Sequence, residues 1–295
     1  MSLTKKVPYP RLADYKKVFA DHFDFERRNG ILQVRMHTKG GPVKWSFEMH
    51  QAMCECWTTI GHDPENELII LTSTNPYWIG DFDMDSFENA ENHKDRNIMF
   101  DNVWHDARRV IDNWIYDIEV PTIGAINGPG LHWENAMMSD ITLCAPNFVL
   151  RDDHFGDATV PGDGQGQIIQ AICGLKRGNY MMFMVNGVDA KTCLDWGLVN
   201  EVVPNEKLLP RAWEIAEKIM KQPRVIRNLT HEITVRPWKT LLHQDFHLQI
   251  GLENFGNHVT QMHHHFWDIK SRWTPAEIKI GEKFSTKAPA AKKKK

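Results

Sequence analysis

Four short, largely apolar runs punctuate the chain between residues 68 and 150: the fully apolar Leu68-Ile-Ile-Leu71, then Pro121–Ile126, Ile141-Thr-Leu143 and Phe148-Val-Leu150. Runs this short and this apolar read as strands buried on both faces, as in a parallel sheet covered by helices. The segments between them carry helical spacing. Ser46 stands as an N-cap before Met49, Ala52, Met53, Cys56, Trp57 and Ile60, and Phe100, Val103, Ala107, Val110, Ile111, Trp114 and Ile118 repeat the pattern. Strands that recur with crossover helices predict an α/β core, stacked or spiralled, with no repeat of fixed period.

The ends of the chain read differently. Near the N-terminus, Phe23–Arg27 and Ile31–His37 flank Arg28-Asn29-Gly30, and Asn-Gly between alternating runs predicts a hairpin. From Glu206 onward the pattern is helical, with the longest helix expected from Trp238 to about Lys270. We therefore expect a core over residues 1–204, a helical C-terminal region over 205–270 and a disordered basic tail over 271–295, ending in Lys292–Lys295.

Composition removes several classes. A net charge of −3 gives no general attraction to nucleic acid or membrane, and no apolar run approaches the ~18 residues of a membrane span. Five cysteines, an odd count with no CxxC, fit a reducing compartment, and the N-terminus lacks the apolar stretch of a signal peptide. We expect a cytoplasmic protein that binds neither membrane nor nucleic acid. RNA binding through the lysine tail is disfavoured because basic and aromatic residues are not interleaved. His258 and His263–His265 lack metal-ligand spacing, so no metal is expected. Gly162-x-Gly164-x-Gly166 is not a dinucleotide fingerprint.

The stretch Leu150–Gln167, LRDDHFGDATVPGDGQGQ, offers chemistry. His154 is flanked by acidic residues, and Asp163 follows nine residues later in a glycine-rich turn. A histidine that takes a proton from water needs a carboxylate on its other ring nitrogen. The pair could supply both groups. Equally, Asp163 could cap the following helix and His154 could be a loop residue; with 15 histidines and 38 acidic residues, spacing does not decide between them.

The segment Ala125–Pro204 resembles the crotonase (enoyl-CoA hydratase/isomerase) superfamily. The carriers are INGP…ENAMMSDITLCAPNFVL, the turn VPGDGQGQ, and the block from Gly187 to Val203, GVDAKTCLDWGLVNEVV. With Ile69–Leu71 and the hairpin, the likeness covers about residues 20–270. It implies a spiral of ββα units, a helical C-terminal part, and homotrimers or pairs of trimers. Family members that bind acyl-CoA use a Gly-Gly-Gly segment whose backbone N–H holds the thioester oxygen. Here that place reads Gly130-Leu131-His132-Trp133-Glu134, and the companion segment reads Trp78-Ile79-Gly80-Asp81-Phe82-Asp83. One catalytic glutamate of the hydratases aligns with Glu134 and the other with His154.

These departures are similar to the β-diketone hydrolase branch typified by oxocamphor hydrolase. That likeness rests on PGDG, Trp45, Asp83-Met-Asp-Ser-Phe87 and Lys207-Leu-Leu-Pro-Arg-Ala-Trp-Glu214. It implies cleavage of a carbon–carbon bond between two carbonyls by water in a retro-Claisen reaction, with no metal or organic cofactor. His154 and Asp163 become the water-activating pair, His132 and Trp45 donors to the second carbonyl, and Glu253 a supporting acid. Phe82 and neighbouring aromatics would line an apolar pocket for a small alicyclic diketone. Glu134 is counted with Trp45 and Phe82 among the substrate-binding groups. The alternative is a CoA-dependent hydratase, isomerase or thioesterase.

Overall fold

The protein is seen here as a computed structural model that describes residues 8–83, 85, 86, 97, 100–184 and 187–261. Helix α1 (Leu12–Val18) leads into strands β1 (Phe23–Arg28) and β2 (Ile31–Met36). Asn29 and Gly30 have φ of 50° and 82°, the two left-handed residues that a type I′ turn requires. The turn sets the register, with Arg28 opposite Ile31 and Phe23 opposite Met36.

The short strand β3 (Lys44–Trp45), helix α2 (Phe47–Gly61), strand β4 (Leu68–Ser73) and the short strand β5 (Asp81–Phe82) follow. A π-helical stretch, Asp101–Asp106, runs directly into α3 (Ala107–Tyr116). The centre of the fold is β6 (Thr122–Ile126), α4 (Glu134–Met137), β7 (Ile141–Cys144) and β8 (Val149–Leu150). After it come α5 (Gln165–Cys173), α6 (Leu175–Met184), β9 (Val188–Asp189), α7 (Ala190–Asp195) and β10 (Glu201–Val202). The remainder is helical: α8 (Asn205–Met220), α9 (Arg224–Leu241), a second π-helical stretch over Leu242–Phe246, and α10 (His247–Gln261).

The main sheet has the order β1-β2-β4-β6-β7-β10. Only the β1–β2 pair is antiparallel, as expected where helical crossovers join every later pair. All six residues of β4 and all five of β6 are buried, because the sheet is covered on both sides. Leu32, Val34, Ile69 and Leu71 face the larger core with Trp57, Trp114 and Met53. Ile31, Leu68, Ile70 and Ile123 face α8 through Leu208, Ala212 and Ala216. Gln33, a polar residue within this apolar sheet, accepts a hydrogen bond from the Trp213 indole at 2.9 Å, which satisfies a group that would otherwise be costly to bury.

Three local readings of the sequence are corrected. The C-terminal helix does not begin at Trp238, because α9 starts at Arg224 and carries Pro237 inside it. The end of that expected helix, with His263, His264, His265 and the 271–295 tail, lies outside the described residues. After the turn Gly128-Pro-Gly130 the sequence suggests a short helix containing both His132 and Glu134, but α4 begins at Glu134, and His132 precedes it with φ of 50°. The Phe148–Leu150 run yields a two-residue strand that pairs antiparallel with β9 outside the main sheet. All five cysteines are free, and among the described residues no helix is long and apolar enough to cross a membrane.

Candidate active site

The site forms where the loops after β3, β6 and β8 meet the turn before α5 and the inner face of α10. Ser46 caps α2, its Oγ accepting the Met49 N–H at 3.0 Å, and this fixes the preceding residue, Trp45. The loop after β6 is held against the segment before β5. A Cβ on Gly130 would lie 2.5 Å from the Ile79 nitrogen, and one on Gly128 would lie 2.2 Å from the Pro76 carbonyl oxygen. Only glycine permits backbones to approach this closely.

His132 leaves this crossing in a left-handed conformation, uncommon for a residue other than glycine and frequent at functional sites. Two indoles pin the backbone around the site. Trp78 Nε1 donates to the His132 carbonyl at 3.0 Å, and Trp133 Nε1 donates to the Arg151 carbonyl at 3.0 Å. The His132 ring lies flat on Trp45, with centroids 3.7 Å apart and planes 18° apart. His50 packs on Trp45 as well, at 5.0 Å.

His132 Nδ1 is 3.5 Å from Glu134 Oε1 and 3.5 Å from Asp163 Oδ2. His154 Nε2 is also 3.5 Å from Asp163 Oδ2. Asp163 thus sits between two imidazoles rather than on one. The short bond at His154 is on the other nitrogen, where Nδ1 is 2.6 Å from Asp152 Oδ1. The two-residue pair drawn from sequence is therefore a larger cluster, and Asp152 was missed. Asp163 is a weak cap at best: the N-cap of α5 is Gly164 at φ 98°, and the Gln165 N–H is 3.5 Å from Asp163 Oδ1. Gln165 Nε2 donates to Asp163 Oδ2 at 3.2 Å.

Glu253 arrives from α10. That helix presses on the turn before α5 so closely that a Cβ on Gly162 would lie 2.6 Å from the Glu253 Cβ and 2.3 Å from the Gln249 carbonyl oxygen. Phe82 pairs with Trp45 across β3 and β5 and is 37% exposed, so it belongs to the surface beside the site and not to the core.

Burial governs the charges. It pushes the Glu134 carboxyl up to about 7 and the His132 imidazole down to about 4. Glu253 and Asp163 are raised, first by burial, against the pull of His154; Asp163 and Asp152 add to the rise at Glu253, and Glu134 and Asp152 to the rise at Asp163. His154 goes the other way. Burial opposes its charge, but Asp163, Asp152 and Glu253 outweigh it and hold the imidazole well above its usual value.

One nitrogen or oxygen each of His132, Glu134 and Asp163 lies within 4.8 Å of the others, a spacing at which three groups can share a cation. Spacing along the chain had directed attention only to the C-terminal histidines. Within the two segments that stand at the family's oxyanion positions, Gly80 N–H donates to the Val43 carbonyl at 3.1 Å and Leu131 N–H to the Ile79 carbonyl at 3.0 Å.

Fold and site together define an α/β enzyme of the crotonase class, with the spiral core and helical C-terminal part of that class. The enoyl-CoA hydratase/isomerase family profile matches residues 26–266, and the chain belongs to that family. A β-diketone hydrolase from Anabaena sp. PCC 7120, solved bound to (S)-3-oxocyclohexyl acetic acid, is 31% identical. It superposes with a TM-score of 0.78 over 84% of this chain and 98% of its own. An enoyl-CoA hydratase/isomerase from Mycobacterium paratuberculosis has a TM-score of 0.73 over 80% of this chain and 93% of its own; at 17% identity it speaks for the fold alone. Crotonyl-CoA hydratase of Syntrophomonas wolfei is 27% identical over 59% of this chain and 65% of its own length. This chain therefore spans somewhat under two thirds of that relative.

Proposed function

We propose that this protein hydrolyses a carbon–carbon bond of a cyclic β-diketone. The observation that carries the reading is the shared position of Asp163 between His132, stacked on Trp45, and His154. The likeness to the Anabaena hydrolase supports it. In this reading His154 takes one proton from water. The hydroxide adds to one carbonyl carbon, and the bond from that carbon to the carbon between the two carbonyls breaks. Its electron pair passes into an enolate whose oxygen faces His132 and Trp45. The proton on His154 then goes to the enolate carbon, leaving a keto acid. Water is the only co-reactant, and its second hydrogen stays on the new carboxyl group.

Donation from His132 requires a defined tautomer. A neutral imidazole that offers Nε2–H must accept at Nδ1. Glu134, raised by burial to about 7 and so partly protonated at neutral pH, stands 3.5 Å from that nitrogen and in its protonated form supplies the donor as the contact tightens around substrate. Glu253 adds negative charge beside His154, and Phe82 walls the entrance.

The keto acid bound by the Anabaena enzyme suggests the first substrate to try. Joining its carboxyl carbon to a ring carbon next to the ketone, with loss of water, gives bicyclo[2.2.2]octane-2,6-dione. Incubation with that diketone, simpler cyclic β-diketones and, separately, a panel of acyl-CoA thioesters tests the reading. Loss of a diketone with appearance of its keto acid is expected, and turnover of acyl-CoA alone would establish the hydratase-like alternative that the retained Glu134 favours. Exhaustive chelation is expected to leave diketone cleavage intact. Activity lost to chelator and restored by a divalent ion would reassign His132, Glu134 and Asp163 as metal ligands.

Assembly belongs to the same proposal. Val225, Ile226, Leu229 and Ile233 on α9 and Leu248, Leu252 and Phe255 on α10 are exposed apolar residues, and clustered exposed apolar side chains point to an interaction surface. A homotrimer or a pair of trimers would cover it. Light scattering is expected to give three or six chain masses, and Ile233→Asp to lower that number; a wild-type monomer at micromolar concentration would refute it.

A further inference from the structure

Two carboxylates approach His154, and they approach opposite nitrogens. Asp152 Oδ1 lies 2.6 Å from Nδ1 and also accepts the His154 backbone N–H at 3.0 Å. Asp163 Oδ2 lies 3.5 Å from Nε2, longer than the 2.7–2.9 Å typical of a charge-assisted bond. Asp152 is 3% exposed, and its Oδ2 has no hydrogen-bond partner among the described residues. The backbone on its N-terminal side is anchored where the Trp133 indole holds the Arg151 carbonyl.

We propose that Asp152 is the positioning residue for His154: it accepts the Nδ1 proton and turns Nε2 toward the attacking water, while Asp163 serves the Nε2 side. The proposal rests on the reading of His154 as the base. A turn residue that merely capped the loop would need the bond to the backbone N–H and nothing more. The same oxygen bonding the ring at 2.6 Å has no role in capping. A negative partner on Nδ1 selects the tautomer with a free Nε2 lone pair and stabilises the imidazolium once the proton has moved. Asp163 remains free to face both imidazoles.

His154 is faced by Asp152, Asp163 and Glu253, with His132, Glu134 and Asp153 nearby. As a base it must be neutral, so activity rises with pH through its folded-state value. Removing the Asp152 charge lowers that value and moves the acid limb to lower pH.

The test uses the full chain after chelation and compares Asp152→Asn, Asp152→Ala and His154→Ala on one diketone. Asn retains an oxygen for the backbone N–H, so Asp152→Asn is expected to melt close to wild type. Its kcat is expected to fall by about 10²-fold with KM little changed, and its acid limb to move down by about one pH unit. Asp152→Ala is expected to lose the same activity and melt lower. In wild-type protein labelled with ¹⁵N, His154 is expected to show a single neutral tautomer with the proton on Nδ1. Unchanged kcat and acid limb in Asp152→Asn, beside an inactive His154→Ala, would reduce Asp152 to a turn residue. An Nε2–H tautomer in the wild type would overturn the proposal even if the variants failed to fold. A fully active His154→Ala would instead remove the base reading on which it rests.

Discussion

His154→Ala is expected to lower diketone turnover by about 10²–10⁴-fold, the range for loss of a general base. Alanine leaves no group to take the proton from water, while Trp45, His132 and Glu134 stay in place to bind substrate. KM should therefore move little and kcat should carry the loss. The fold should survive, because His154 sits in a loop and the one short side-chain hydrogen bond it makes among the described residues is to Asp152. Some stability is expected to go with it, since the buried Asp152 carboxylate loses its partner, a change worth about 1–3 kcal/mol. Thermal melting and steady-state kinetics on the same preparation check both statements. A folded His154→Ala enzyme with near-normal kcat would refute the proposed chemistry.

Asp163→Asn should be nearly as damaging with less cost to the fold. Asparagine has the shape of aspartate and can keep an oxygen toward Gln165, so the melting temperature should hardly change. What it removes is the charge between His132 and His154. That charge helps hold His154 above its usual value, so the acid limb of kcat should move to lower pH while kcat itself falls by about 10²-fold or more. Because the residues act as one unit, the His154→Ala/Asp163→Asn double variant should be little worse than His154→Ala alone. Fully multiplicative losses would mean that the two residues act independently and that the cluster is not one catalytic device.

The parts of the fold that were legible are those written in local chemistry. Asn29-Gly30 has one good solution, the I′ turn. Ser46 before an apolar-periodic segment has one as well, the capped helix. Leu68–Leu71, apolar throughout, and Pro121–Ile126, with no charged residue, announced buried strands. The helix start expected at Trp238 was misplaced, because the helix runs from Arg224 through Pro237 without ending, and propensity at one residue yields to packing along the whole length. The position of His132 outside α4 was hidden because its left-handed backbone results from the crossing at Gly128–Gly130, which no neighbouring residue encodes.

The candidate site divides in the same way. His132, His154, Asp163 and Glu253 were assembled on the family resemblance, and the fold brings all four to one place. Asp152 escaped notice because two carboxylates close to a histidine look alike in a loop, where no periodicity tells which one turns back to the ring. The grouping of His132 and Glu134 with Asp163 was equally invisible, since it depends on the turn before α5 folding back over the loop after β6. Glu253 is brought there by α10, and the glycine that lets the helix come close, Gly162, is distant in the chain.

The left-handed backbone at His132 sets firmness of the fold against chemistry at a single residue. Glycine adopts that conformation without the penalty a side chain incurs, so a glycine there would relax the loop while discarding the imidazole and the partner stacked on Trp45. Evolution toward heat resistance alone would favour that exchange, and lineages that did not need the reaction would be expected to lose this histidine early. His132→Gly is accordingly expected to keep or raise the melting temperature while removing the proposed donor to the enolate.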